Sequence, residues 1–220
     1  MKIEVWSDIV CPWCYNGKRY LEEALATAKL DDVEIVYRSF ELDMGMAQQV
    51  DLPLDVILSR KYGTTLERAQ EMIANITGVA ETVGVEFHLD KTQTGNTYNA
   101  HRLIHLARES GLDAQLKERL LAAYFTEGKS VSDIDSLVAL AESVGVDATR
   151  AREVLMGTEY GQDVRDEEAL AVEMGVRGVP FFVINGEFGL SGAQRPEAFL
   201  EAFEMTNPSV DAHSCGVEGC

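Results

Sequence analysis

The stretch SDIVCPWCYNGKRY, Ser7 to Tyr20, sets two cysteines three residues apart where an extended apolar run gives way to helical spacing. Before it, residues 2–8 alternate as a strand, with Ile3 and Val5 on one face. After it, Pro12 suits the first position of a helix, and Leu21, Ala24, Leu25 and Ala28 continue at helical spacing to about Lys29. The next run, VEIVYRSFEL at 33–42, is rich in β-branched and aromatic residues and reads as a second strand. Strand, helix and strand in this order form a βαβ unit, so the two strands are expected to be parallel.

The pair Cys11 and Cys14 falls at the start of that helix. Unpaired N–H groups and the helix dipole favour an anion there, and a thiol so placed is disposed to act as a nucleophile. Residues at i and i+3 on a helix lie roughly 5–6 Å apart, inside the ~4.4–6.8 Å Cα range of a disulfide. Cys11, at the exposed end, is expected to attack a substrate disulfide; Cys14, shielded behind it, to resolve the mixed disulfide. The competing reading is half of a zinc site, since zinc commonly uses such pairs. Placement straight after a βαβ-type strand favours redox chemistry.

The 51–157 segment reads as an all-helical insertion. The face Leu66, Ala69, Met72, Ile73, Ile76, Val79, Ala80 and Val83 marks one helix, and TYNAHRLIHLARESG and AQLKERLLAAYFTEG mark two more. Ser132 with Asp135 reads as a capping box opening a fourth, and Asp147 starts a fifth. Residues 158–206 return to mixed character. A helix to about Gly175 leads to GVPFFVINGEFGL, where Asn185-Gly186 signals a hairpin between Phe181–Ile184 and Glu187–Leu190. Pro196 opens a last helix, and residues 207–220 form an irregular tail carrying Cys215 and Cys220.

Composition narrows the function classes. A chain of 220 residues with 46% hydrophobic and 25% charged residues can bury a core without a disulfide framework. A net charge of −18 argues against nucleic acid or an anionic membrane as partner. No secretory h-region follows Met1 and no run approaches the ~18 apolar residues of a membrane span, so the expected location is cytoplasmic. In that reducing compartment a C-x-x-C pair is more often catalytic or metal-binding than structural.

The order β-α-β, helical insertion, α-β-β-α, with CPWC at a helix start and Val179-Pro180 before the hairpin, resembles the DsbA-like branch of the thioredoxin superfamily. SDIVCPWCYNG, NAHRLIHLA at 99–107 and GVPFFVINGEFGLSGAQ at 178–194 look most like its FrnE-type members. The resemblance implies an α/β, thioredoxin-like fold with a large helical insertion, and a cis Pro180 facing the cysteines. It further implies that Val179 offers backbone groups to an extended substrate peptide. The function implied is that of a protein disulfide oxidoreductase or isomerase in thiol homeostasis under oxidative stress. Its partners would be protein or peptide thiols and disulfides, with glutathione as a further candidate, and no cofactor is required. Oligomeric state is not legible. The family also includes 2-hydroxychromene-2-carboxylate isomerases and kappa-class glutathione transferases. A glutathione-dependent isomerase or transferase is therefore an alternative, as is a zinc protein using all four cysteines.

One departure stands out. Members often carry a buried acid six residues before the nucleophile, and this chain has Val5 there. Asp8 either assists proton transfer from Cys14 or is a solvated turn or capping residue; the solvated reading is preferred because Asp is seldom buried without a partner. His101 and His105 are four apart with no third metal ligand nearby. Their face either lines a groove, with Asn99 and His101 touching substrate, or serves packing. Pro12 and Trp13 lie between the cysteines; Trp13 offers exposed apolar surface to a substrate or packs on the helical segment. Cys215 and Cys220 are an auxiliary dithiol, a metal clip with His213, or part of an inert tail.

Overall fold

The computed structural model describes residues 1–206, over which four strands and nine helices are defined. Strand β1 (Lys2–Ser7), helix α1 (Pro12–Ala28) and strand β2 (Glu34–Ser39) form the expected βαβ unit. The two strands are parallel, with Val5 opposite Tyr37. Pro12 occupies the first turn of α1, where a missing N–H costs nothing, and Lys29 ends the helix in the left-handed region at φ 55°.

Six helices follow: α2 (Leu54–Tyr62), α3 (Leu66–Thr82), α4 (Tyr98–Arg108), α5 (Asp113–Phe125), α6 (Ile134–Glu142) and α7 (Ala148–Met156). Three open on side-chain caps: Thr65 accepts from Arg68 N, Asp133 from Ser136 N and Asp147 from Arg150 N. The cap of α6 is thus Asp133, one residue after the Ser132 expected from sequence. Ser132 is instead buried, its hydroxyl 3.1 Å from that of Ser130.

Helix α8 (Gly161–Glu173), strands β3 (Phe181–Ile184) and β4 (Phe188–Ser191) and helix α9 (Pro196–Thr206) complete the fold. Asn185 and Gly186 adopt φ of 51° and 72°, the positive values that a type I′ hairpin turn requires. The sheet order is β2-β1-β3-β4, with β3 antiparallel to both of its neighbours.

Alternation along the strands sends residues to two faces. Ile3, Val5, Tyr37, Phe182 and Ile184 pack against Leu21 and Ala24 of α1 and Phe199, Ala202 and Phe203 of α9. On the other face Trp6 packs with Ala171 of α8, and its indole N–H donates to the Glu167 carbonyl at 3.0 Å. Helices α3 to α7 build a second core around Leu103, Leu116, Leu120, Leu137 and Val154, which Ile9 and Tyr15 join from the βαβ unit. That shared core fixes the helical segment beside the N-terminus of α1.

Polar bonds lock the same junction. The Glu167 carboxylate accepts from Ser39 N at 2.6 Å and Arg38 Nη1 at 2.8 Å, and lies 3.2 Å from His105 Nε2. Burial pushes its pKa up, but the bonds from His105 and Arg38 outweigh that and hold the carboxyl below the usual range. No helix among the described residues is long and apolar enough to cross a membrane.

Candidate active site

Cys11 is the N-cap of α1, with extended backbone angles and no side-chain bond to the helix. Its thiol donates to the carbonyl oxygen of Val179 at 3.5 Å. The Val179-Pro180 bond is cis, as the resemblance implied. Helix α1 can approach this segment because residue 17 is glycine: a Cβ there would stand 2.9 Å from Pro180 Cγ and 3.2 Å from Phe182 Cζ. Cys14 lies one turn further in, its N–H donating to the Cys11 carbonyl at 3.0 Å.

Both cysteines are free thiols, and each is only 3% exposed. Cys11 is therefore less open than its helix-end position suggested, because the Val179 segment and the helical block close over it. What separates the two is the cleft: Cys11 lines it and Cys14 does not. Burial pushes the Cys14 thiol well up, and the hydrogen bond and charge of Cys11 add to that, while Lys117 and the Asp8 N–H act in the opposite sense.

Asp8 overturns the solvated reading. It is 1% exposed, and its carboxylate accepts from Ile9 N at 2.7 Å and Leu42 N at 2.8 Å, with His101 Nε2 at 3.5 Å. Burial raises its pKa, but His101, Leu42 N–H and Thr97 outweigh it and hold the carboxyl low. Asp8 is thus a fixed anion tying the β1–α1 loop to the segment after β2, and a poor base.

The cleft holds about 340 Å³ between the two parts of the fold. Val10, Cys11, Pro12, Trp13 and Val179 form one wall; Leu54, Ile57 and Leu58 of α2, Met72, Ile73 and Ile76 of α3, and Tyr124 and Phe125 of α5 form the other. The lining is mainly apolar, with Lys61, Asp43 and Asn75 among its few polar side chains. A nucleophilic sulfur on the wall of such a cleft can meet a disulfide held by apolar contacts.

A family model described as DSBA-like thioredoxin domain matches residues 2–204. The chain belongs to the DsbA-like thioredoxin family. Protein YwbO of Bacillus subtilis (strain 168) is 31% identical over 203 residues, spanning 91% of this chain and 94% of that protein. The crystal structure of a probable DsbA oxidoreductase from Streptomyces coelicolor superposes with a TM-score of 0.90 at 40% identity, covering 100% of this chain and 98% of that one. The cytosolic disulfide reductase DsbM from Pseudomonas aeruginosa, solved with GSH, shares the fold at 16% identity and a TM-score of 0.66, over 94% of this chain and 98% of its own.

In this DsbA-like chain the candidate residues separate into groups. Cys11, Pro12, Trp13 and Val179 meet at the cleft, and Trp13 is 42% exposed, available to a partner. Pro180 lies behind them against α1. Asn99 and His101 do not line the cleft: the Asn99 side chain accepts from Arg102, and His101 is buried beside Asp8. His101 thus takes the packing role, the other one considered, while Asn99 is half-buried and held by Arg102. Cys215 and Cys220 lie outside the described residues. Among the described residues no group of three or more His, Cys, Asp or Glu side chains is placed to hold a metal ion.

Sequence reasoning passed over two further residues. Gly17 had no visible signal, because the neighbour that requires it arrives from β3. Lys117 had one: it falls on the apolar stripe Leu116, Leu120, Leu121 and Tyr124 of α5, and it is buried with them.

Proposed function

We propose that this DsbA-like protein is a cytoplasmic thiol–disulfide oxidoreductase or isomerase of the FrnE type, acting through Cys11 and Cys14. The observation that carries the reading is the Cys11 thiol on the Val179 carbonyl, at the N-terminus of α1 and on the wall of an apolar cleft, with Cys14 one turn behind. In reduction, the Cys11 thiolate attacks a substrate disulfide R–S–S–R′, forms Cys11–S–S–R and expels R′–S⁻. The Cys14 thiolate then attacks the Cys11 sulfur, the Cys11–Cys14 bond forms, and R–S⁻ leaves; two electrons pass to the substrate and both leaving sulfurs take up protons. Oxidation of a substrate dithiol is the same path reversed.

The cleft favours protein or peptide disulfides with apolar neighbours, and exposed Trp13 extends that surface. DsbM, a cytosolic disulfide reductase solved with GSH, supports a cytoplasmic thiol substrate pool and glutathione as a redox partner. A role in thiol homeostasis under oxidative stress, with Cys215 and Cys220 as an auxiliary dithiol, completes the proposal. The test is trapping: Cys14→Ser incubated with an oxidised, unfolded protein should accumulate a mixed disulfide through Cys11 that a reductant releases. Failure to form it, with wild-type enzyme also unable to reduce the substrate, would sink the reading.

A further inference from the structure

Two thioethers share the cleft with the Cys11 thiol. Met46 and Met72 both line it, and both are half-buried. They come from different parts of the chain. Met46 follows β2 in a segment pinned at both ends: Leu42 N–H donates to the Asp8 carboxylate at 2.8 Å, and Val50 N–H to the Thr94 carbonyl at 2.9 Å. Between those pins the Met46 N–H donates to the Asp43 carbonyl at 3.1 Å. Met72 stands on α3 next to Ile73, which packs on the helical core. The two backbones are thus fixed, and the flexible side chains are left to adapt to an occupant.

Leucine, of similar volume, would close such a wall as well. What a thioether adds is rotamer freedom and a sulfur that an oxidant can change. The exposed Met44, Met156, Met174 and Met205 carry the same group, but none of them lines the cleft.

We infer that Met46 and Met72 are modification sites through which an oxidant changes the substrate class of the cleft: as sulfoxides they turn away peptide disulfides with apolar neighbours and leave Cys11 open to small hydrophilic ones. The inference rests on the dithiol function proposed above and adds a control on its substrate range. Hypochlorous acid or a chloramine is the oxidant. With hypochlorous acid, the thioether sulfur gains the oxygen and loses two electrons, chlorine takes them up, and HCl is released. The same oxidant converts Cys11 and Cys14 to their disulfide with loss of water and HCl, a form that thiols reopen in the ordinary cycle. The sulfoxides outlast it, because methionine sulfoxide reductases are needed to remove the oxygen.

A sulfoxide oxygen is a strong acceptor that water satisfies. An apolar peptide laid against it displaces that water and offers no donor in return, so binding weakens. The cleft itself supplies little compensation. Its side-chain N–H donors, Trp13, Lys61 and Asn75, are exposed to water, and the buried Thr94 and Tyr124 hydroxyls bond each other at 3.2 Å. A disulfide that is small and hydrophilic leaves the sulfoxides hydrated and still meets Cys11.

The experiment closes the Cys11–Cys14 disulfide, treats the protein with chloramine-T, removes the reagent, reopens the disulfide with a thiol and maps sulfoxides by mass spectrometry. Met46 and Met72 should both carry oxygen. KM for a peptide disulfide with apolar neighbours should rise at least about tenfold, while turnover of hydroxyethyl disulfide stays within about twofold, because only the peptide desolvates the sulfoxides. Methionine sulfoxide reductases should return the peptide KM. In Met46→Leu/Met72→Leu the treatment should move KM by no more than about twofold from that variant's own untreated value, although Met156 is oxidised in it. Sulfoxides at Met46 and Met72 with an unchanged peptide KM, intact thioethers there while Met156 reacts, or an equal rise in the leucine variant would each overturn the inference. Should the leucine variant not fold, repair decides: a KM that stays high after both sulfoxides are removed overturns it equally. An untreated protein that reduces neither disulfide would instead overturn the dithiol function. Binding of the same labelled peptide to Cys11→Ser/Cys14→Ser, before and after treatment, then decides the inference: a tenfold loss, about the size set above, supports it, and unchanged binding overturns it.

Discussion

The Cys11 thiol and the Val179 carbonyl oxygen, 168 residues apart in the chain, meet at 3.5 Å. This contact holds the sulfur on the cleft wall, and Cys14 does not reach that wall. Iodoacetamide should therefore modify Cys11 first. Peptide mapping of partly alkylated protein is expected to find Cys11 labelled about tenfold faster than Cys14, since thiolate character and access decide the rate. Equal rates would mean that the cleft does not select between them.

Gly17 is where α1 touches the Pro180 segment. In Gly17→Ala the new methyl would stand 2.9 Å from a Pro180 ring atom, which has no free rotamer to give way. Overpacking of this kind costs ~1–3 kcal/mol. Urea denaturation should show that loss, and turnover should fall because Val179 moves with Pro180.

Met72 is a half-buried part of the cleft wall. In Met72→Lys a charge enters an apolar surface, and KM for peptide disulfides with apolar neighbours should rise about tenfold, corresponding to ~1.4 kcal/mol. A small hydrophilic disulfide should react as before. Parallel loss on both substrates would point to a disturbed fold and not to substrate binding.

Asp8 and Glu167 both have carboxyl pKa values held below their ordinary 3.8 and 4.5. A depressed folded pKa means that the stabilisation is complete above the ordinary value and is lost as pH falls through the lower, folded one. Unfolding free energy should therefore decline as pH drops below about the ordinary carboxylate range. Glu167→Gln should flatten part of that decline and cost about 3 kcal/mol at neutral pH, because Arg38 and His105 lose a buried partner. Denaturant midpoints measured across the acid range check both statements.

Much of this architecture is legible in local sequence. CPWC after an alternating strand, Pro12 at a helix start and Asn185-Gly186 between apolar runs each act through their immediate neighbours. Asp8 is different: its burial depends on His101 and Leu42, which only the folded chain brings beside it. His101 is buried beside Asp8 for a related reason, since helical spacing shows that two histidines share a face and not what that face meets. Lys117 was the readable exception, a charge on an apolar stripe whose partner, the Ser7 carbonyl, only the folded chain supplies. The cleft itself depends on α2 and α3 folding against α1, a relation between segments that no single motif carries.

The proposed function requires Cys11 and Cys14 to form a reversible redox couple. The most direct measurement is an equilibrium titration of metal-stripped protein in glutathione redox buffers, with Trp13 fluorescence as the signal and mass spectrometry mapping the cysteine pairs at each potential. A Cys11–Cys14 disulfide that forms and disappears reversibly, with a single midpoint, is the predicted result. Both thiols remaining reduced across the whole range, or pairing only with glutathione, would contradict it.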